Sequence, residues 1–597
     1  MANHWTNCLL QLIKGAKGGS VSPIVRHIYR NVDPRFVLFT LTVSGANCMH
    51  KTALMTVWDQ LWHSHYQAKK LLMCALPTGG AANAAASNTK RNPSPQPKPP
   101  AYTTPQKIGL LLGPLLFAFV VMFFHPEDLS FEGRMVLATT LWVAVWWITE
   151  AIPIPATSLL PIVLLPITGA LDGNTVTAAY GNPIIFLFLG GFMIALAMER
   201  WDLHKRIALS IIAVLGTSIN SIVFGFMAAT GFLSMWVSNT ASVMMMLPIG
   251  TAIVYQVSQE LAKSDGDHSV EIDKFSKALI FGIGYGGTIG GLGTLIGTPP
   301  NIILAAIVNQ LFGIEISFAG WLMFAFPIVC VLLVITWLLL TRVFFRIDFS
   351  HLPGGRELIN KEKAALGNTS FEEKAVLVVF LFAAFMWITR SFLWQGQIIN
   401  IPGINDTMIA IVAALLLFLI PSKNQGGCLL GWDVAKDVPW GILLLFGGGL
   451  AIAAGFGSSG LAEWIGGQMS VLEGANFLLV ILLATGMVLF LTEITSNTAT
   501  ATMILPVLAS LALALDIHPF VLMVPAAMAA NCAFMLPVGT PPNAIIFATG
   551  KLKIIEMVRT GFWINIIAML LIVAAVYFLL PVMWGVDLTS YPDAFRR

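Results

Sequence analysis

"TEITSNTATATMILP", Thr492 to Pro506, sets one carboxylate, six hydroxyls and an amide between two strongly apolar stretches. A second such insertion, "SMWVSNTASVMMMLP", runs from Ser234 to Pro248. Both centre on Ser-Asn-Thr and both end on Leu-Pro. A third Ser-Asn-Thr, at Ser87, lies in "PTGGAANAAASNTKRNPSPQPKPP" (Pro77 to Pro100) without apolar flanks or Leu-Pro. The signal is therefore the setting of the tripeptide, not its three letters.

That setting is membrane. The 597 residues are 57% hydrophobic and 11% charged, and the mean hydropathy is +0.80. Soluble proteins carry about a quarter charged residues. Runs such as Ile108–Phe124 and Asn565–Pro581 approach the ~20 apolar residues needed to span a bilayer. The six cysteines have no paired spacing and read as small apolar fillers. There is no His-Glu-x-x-His, no Cys/His cluster and no Gly-x-Ser-x-Gly elbow, so nothing points to an enzyme.

Spans are expected near 107–125, 134–151, 153–171, 182–200, 278–310, 318–345, 373–393, 405–421, 438–456, 518–550 and 560–584. If 222–252 and 476–509 are re-entrant hairpins, about 11 crossings remain in an all-α polytopic membrane protein. Charge supports that count. With the start of the first span inside, the inner segments hold Arg200, Lys205, Arg206, Lys263, Lys274, Lys277, Lys423, Lys436, Lys551, Lys553 and Arg559. The outer loops near 172–182, 311–317, 457–475 and 510–517 hold no Lys or Arg, as the positive-inside rule requires. This puts the N-terminus in the cytoplasm and the C-terminus outside a plasma membrane. Residues 1–76 are an N-terminal extension of open role, and 77–106 read as a disordered linker.

The chain also repeats itself. "FLFLGGFMIALA" (Phe186 to Ala197) resembles "LLLFGGGLAIAA" (Leu443 to Ala454). From Gly190 to Ser238 is 48 positions, and from Gly447 to Ser496 is 49. Gly-Thr-Pro-Pro-Asn follows in each half, at Gly297–Asn301 and Gly539–Asn543. An odd number of crossings between equivalent points gives the halves opposite orientation, an inverted-topology repeat. The expected organisation is a first transmembrane helix at 107–131, repeat 1 at 132–346 and a cytoplasmic loop at 347–372. Repeat 2 follows at 373–585 and a tail at 586–597.

Gly-Thr-Pro-Pro-Asn breaks a helix, because proline lacks an N–H and disfavours helix in the residue before it. In transporters such breaks free carbonyls for a cation and turn helix N-termini toward an anion. The segments 222–252, 278–310 and 518–550 contain no Lys, Arg, Asp or Glu, and 476–509 contains only Glu493. An anion there must be held by amides, hydroxyls and helix ends, with bound cations neutralising it. Neutral oxygen ligands suit Na⁺. Glu493 either supports its hairpin or tunes ion coupling. Glu150 reads as a cap or structural partner, and Trp146, Trp147 and Trp236 as packing residues.

"ITEAIPIPATSLLP" (Ile148 to Pro161), the paired Ser-Asn-Thr insertions and the paired Gly-Thr-Pro-Pro-Asn breaks resemble the divalent anion:sodium symporter family over roughly 107–585. The resemblance implies a homodimer working as an elevator, with a dicarboxylate anion, at least two co-transported Na⁺ and the lipid bilayer as partners, and no nucleic acid. It implies substrate contacts from Ser238, Asn239, Thr240, Thr298, Ser496, Asn497, Thr498, Thr540 and Pro541. One Na⁺ would be held by Ser234, Ser238, Asn239 and Gly297, the other by Thr492, Thr495, Asn497 and Gly539. The family's sulfate carriers often lose one Ser-Asn-Thr; both are intact here, which favours symport of C4-dicarboxylates such as succinate, malate and fumarate. A dicarboxylate exchanger, or a citrate or sulfate carrier of the same fold, is the alternative.

Overall fold

In hydrocarbon every backbone N–H and C=O must be satisfied within the protein, so a spanning chain becomes helix. The computed structural model describes residues 102–595 apart from 216–217, 262–267, 347–354, 396–400, 402, 425 and 470–475. Among the described residues there are helices and isolated bridge residues, such as the pair Pro421–Cys428, but no strand. The expected extension 1–76, and the expected linker as far as residue 101, lie outside the described residues.

The first half of the chain forms α1 (Thr104–Phe123), α2 (Phe131–Thr149), α3 (Leu160–Ile167), α4 (Pro183–Arg200), α5 (Leu203–Leu215) and α6 (Ile219–Ser234). It continues with α7 (Asn239–Leu261), α8 (Ser269–Gly291), α9 (Pro299–Phe312) and α10 (Phe318–Leu338). The second half forms α11 (Phe371–Thr389), α12 (Asp406–Leu419), α13 (Trp440–Ser458), α14 (Leu461–Met469) and α15 (Phe477–Thr492). Then come α16 (Asn497–Ala514), α17 (Phe520–Asn531), α18 (Pro541–Ala548) and α19 (Ile554–Trp584). Short helical turns connect some of these. In order, α2 to α10 have a counterpart in α11 to α19, and α1 stands outside the pairing.

Local chemistry sets the boundaries. Ser130, Asn182, Ser317, Asn405 and Asn476 each accept a first-turn N–H with the side chain, capping α2, α4, α10, α12 and α15. Gln106 accepts from the Thr103 N–H at 2.8 Å, so α1 begins at Thr104, inside the expected linker. The apolar run at 153–171 is not one helix. Ile154–Thr157 and Leu160–Ile167 are separate, and the Trp147 indole donates to Ser158 Oγ at the joint.

Among the described residues, eight helices are long and apolar enough to cross a bilayer, and six shorter apolar helices accompany them. α2 and α8 are not among the eight, for each begins with charged residues: Glu132 and Arg134, then Glu271, Asp273, Lys274 and Lys277. α8 is nonetheless buried all round from Phe275 to Gly291, and its counterpart α17 is buried from Phe520 to Asn531. A helix apolar and buried on every side lies at the centre of its bundle. Around these two, α6 and α7 both pack on α8, while α15 and α16 both pack on α17. The halves interlock, since α7 also packs on α18 and α9 on α16. In contrast α1 turns Ile108, Leu111, Leu115 and Phe119 outward, as a lipid-facing helix does.

Candidate functional site

The two Ser-Asn-Thr insertions are helix–break–helix pairs. In the first, α6 ends at Ser234 and α7 begins at Asn239; in the second, α15 ends at Thr492 and α16 begins at Asn497. The breaks carry the same internal bond. Ser234 Oγ donates to Asn239 Oδ1, and Thr492 Oγ1 donates to Asn497 Oδ1 at 2.7 Å. Each hydroxyl and amide oxygen are thus close enough to face one small cation.

Around Asn239 the packing is tight. A Cβ on Gly291 would meet the Asn239 amide, and one on Gly297 would meet the Gly291 carbonyl. Glycine at both positions lets the first break approach the Ser234–Asn239 pair. Ser234 and Asn239 are thus linked to Gly297 through Gly291. Ser238 Oγ accepts from the Ala241 N–H at 3.2 Å. Thr240 is half-buried on the first turn of α7.

The second cluster is similar in plan and different in detail. Thr492 Oγ1 also donates to the Ala530 carbonyl at 2.7 Å. The Thr495 hydroxyl turns inward to the Leu491 carbonyl and the Thr500 hydroxyl, leaving its own carbonyl as what it can offer an ion. Gly539 packs against Glu493 and Ala533. Ser496 is the N-cap of α16 without a side-chain cap bond, and Thr498 is half-buried beside it.

The two Gly-Thr-Pro-Pro-Asn breaks are held open by their asparagines. Asn301 Nδ2 donates to the Gly291, Leu292 and Thr294 carbonyls at 3.1, 3.2 and 2.8 Å. Asn543 Nδ2 donates to the Ala533 and Leu536 carbonyls at 2.8 and 3.0 Å. These bonds satisfy carbonyls left without helical partners at and just beyond the ends of α8 and α17. Thr298 and Thr540 are the N-caps of α9 and α18; both are buried, whereas Pro541 is exposed.

Glu493 faces neither amide. Its carboxylate accepts from the Phe534, Met535 and Leu536 N–H groups and from Asn565 Nδ2, the last at 2.6 Å. It therefore organises the loop leading to the second break, a backbone-supporting arrangement. Glu150 is exposed and left-handed at the end of α2, and its carbonyl, not its carboxylate, receives Gln106. Trp236 packs against Phe318 and Phe380. Asn531, Asn565 and Tyr285 were not singled out by the sequence. Tyr285 donates to the Phe534 carbonyl at 2.9 Å, across the repeats. Their one sequence signal is polarity inside an otherwise apolar run.

Two interlocked halves, each with a broken-helix pair and a buried oxygen cluster in an apolar bundle, define a polytopic membrane transporter. Comparison with known proteins narrows the class. The family model described as the sodium:sulfate symporter transmembrane region matches residues 106–585. A sodium-dependent dicarboxylate transporter, SdcS of Staphylococcus saprophyticus, is 55% identical over 507 residues, covering 84% of this chain and 96% of that protein. SdcS of Staphylococcus aureus is 54% identical over 491 residues, covering 82% of this chain and 94% of that one. The chain belongs to the divalent anion:sodium symporter family and is a secondary transporter, not an enzyme. Among solved structures, that of Neisseria gonorrhoeae MtrF, described with a class of antimetabolite efflux pumps, is similar with a TM-score of 0.51. It is 12% identical and covers 80% of this chain and 95% of its own, a likeness of fold alone.

Proposed function

We propose that the protein imports C4-dicarboxylates such as succinate, malate or fumarate together with at least two Na⁺. The observation that carries this reading is the duplicated Ser/Thr–Asn pair beside a Gly-Thr-Pro-Pro-Asn break, with no fixed positive charge on either triplet. Ser234, Ser238, Asn239 and the Gly297 carbonyl would hold one ion; Thr492, Asn497 and the Thr495 and Gly539 carbonyls would hold the other. Ser238, Asn239, Thr240, Ser496, Asn497 and Thr498, with Thr298, Thr540 and Pro541, would meet the substrate carboxylates. The bound cations make a dianion tolerable where no Lys or Arg stands. The SdcS relatives, named as sodium-dependent dicarboxylate transporters, support the same cargo.

The wider reading has the two helix–break–helix pairs as re-entrant hairpins in an inverted repeat, with about 11 crossings. The amino end of the membrane part lies in the cytoplasm and the C-terminus outside, the protein is a homodimer in the plasma membrane, and transport runs by an elevator movement. The organisation proposed is 107–131, 132–346 and 373–585 for first helix and two repeats. The family model's own description names sulfate, and sulfate or citrate carriage, or dicarboxylate exchange, is the second reading. Uptake of labelled succinate into proteoliposomes tests the first. It should require an inward Na⁺ gradient and be blocked by unlabelled malate and fumarate but not by sulfate. Uptake unchanged when choline replaces Na⁺ would sink symport, and counterflow without Na⁺ would select exchange.

A further inference from the structure

We propose that Asn531 is a positioning residue that couples the first helix break to the second ion shell; this goes beyond, and rests on, the Na⁺-coupled reading above. Asn531 closes α17 and is 1% exposed. Its amide makes two hydrogen bonds, both into the first repeat. Thr298 Oγ1 donates to Asn531 Oδ1 at 2.7 Å, and Asn531 Nδ2 donates to the Thr288 carbonyl on α8 at 2.7 Å. The preceding residue, Ala530, accepts from Thr492 Oγ1, the hydroxyl that also reaches Asn497. Two successive residues of α17 thus touch the first break by a side chain and the second shell by the backbone.

The fold itself does not require an amide at this place. With Asn543 matched to Asn301, the residue of α8 at the register of Asn531 is Ile289, which is fully buried. A buried polar group is tolerated only when paired, and here both pairings reach across the repeat. They also make the two breaks unlike. Thr540 Oγ1 accepts from the Asn543 N–H and caps its own helix. Thr298, the matching N-cap, makes no side-chain cap bond, because its hydroxyl is turned to Asn531. An ion that draws on Thr492 shifts the partner of the Ala530 carbonyl, and Asn531 passes that shift to Thr298 beside Gly297. Coupling of this kind is reciprocal between the two sites.

Asn531→Ile, which installs the residue found at this register in the first repeat, tests the proposal. Na⁺ activation of labelled succinate uptake is measured in proteoliposomes, and Na⁺-induced thermal stabilisation is measured on the purified protein without succinate. The wild type should give a sigmoid curve. The variant should give a Hill coefficient near 1, with half-activating Na⁺ raised about fivefold or more and the maximal rate largely kept. Thr298→Val removes the same bond from its other end; because Thr298 is also placed at the substrate, it is compared only by Na⁺-induced thermal stabilisation without succinate, where the double variant should do no more than either single one. That variant also carries the test by thermal shift should Asn531→Ile fail to insert: loss of cooperativity supports the coupling, and an unmoved curve overturns it. An unchanged Hill coefficient, or a lower maximal rate on an unshifted Na⁺ curve, equally overturns it. A wild type indifferent to Na⁺ brings down the symport reading and the coupling with it; a cooperative wild type with an unshifted variant removes the coupling alone.

Discussion

Glu493 is held by donors only: three successive backbone N–H groups and the Asn565 amide. Removing the carboxylate strands those donors, at about 1–3 kcal/mol each when buried. Glu493→Leu should therefore destabilise the protein by roughly 3 kcal/mol or more, and Glu493→Gln, which keeps one acceptor, by less. Thermal unfolding in detergent checks the order wild type, Gln, Leu; equal melting for Gln and Leu would contradict it. Asn239→Ala and Asn497→Ala each remove the amide oxygen that faces the Ser234 or Thr492 hydroxyl. Each should abolish succinate uptake while the protein still inserts, and wild-type rates from either would remove that residue from the site. These amides were legible in the sequence because they occur twice in matching frames. Asn531 was not, because its repeat position is an isoleucine and no duplication marks it. Glu493 was legible as an exception, but its role depended on a loop about 40 residues away that only folding brings near.

At the scale of elements, the proline pair occupies the first two positions of α9 and α18, beyond the ends of α8 and α17, so it begins a helix but does not explain why the opened backbone before it holds its shape. That work falls to Asn301 and Asn543, each spanning its own break with amide donors. Asn301→Leu or Asn543→Leu should loosen one break, raising the Na⁺ requirement and lowering the melting temperature together. A changed Na⁺ curve with unchanged melting would assign these side chains to the ion itself. The core of the first repeat depends on small residues, for a Cβ on Gly290 would run into the backbone of Gly231 on α6. Gly290→Leu should prevent assembly, seen as loss of monodisperse protein on gel filtration. Helix breaks at Gly-Thr-Pro-Pro-Asn could be read from the letters, as proline chemistry is local. The split between Ile154–Thr157 and Leu160–Ile167 has the same kind of local mark, Thr157-Ser158 followed by Pro161, which averaging hydropathy over 153–171 hides; that Trp147 reaches the joint from another helix has no such mark.

For the whole molecule, hydropathy and charge bias were enough to give a helical membrane bundle, since both follow directly from solvent chemistry. Which helices occupy its centre was less accessible: α8 starts with four charged residues, yet from Phe275 onward it is buried on all sides. Ligand linkage offers a test at this scale. Purified protein should gain about 2.7 kcal/mol per ion site at a hundredfold excess of Na⁺ over its Kd. Choline should give no such gain, and equal melting in the two salts would count against resident ion sites. The repeat is a likeness of plan rather than of surface. Trp236 is wedged between Phe318 and Phe380, whereas Ile494, at its place in the second pair, is 68% exposed. Val538 is likewise open, while its counterpart Ile296 is buried. An inhibitor designed to jam a break by an apolar wedge thus has purchase at the second break, on Ile494 and Val538, and none at the first. Its potency should accordingly respond to substitutions at those two positions and ignore Trp236.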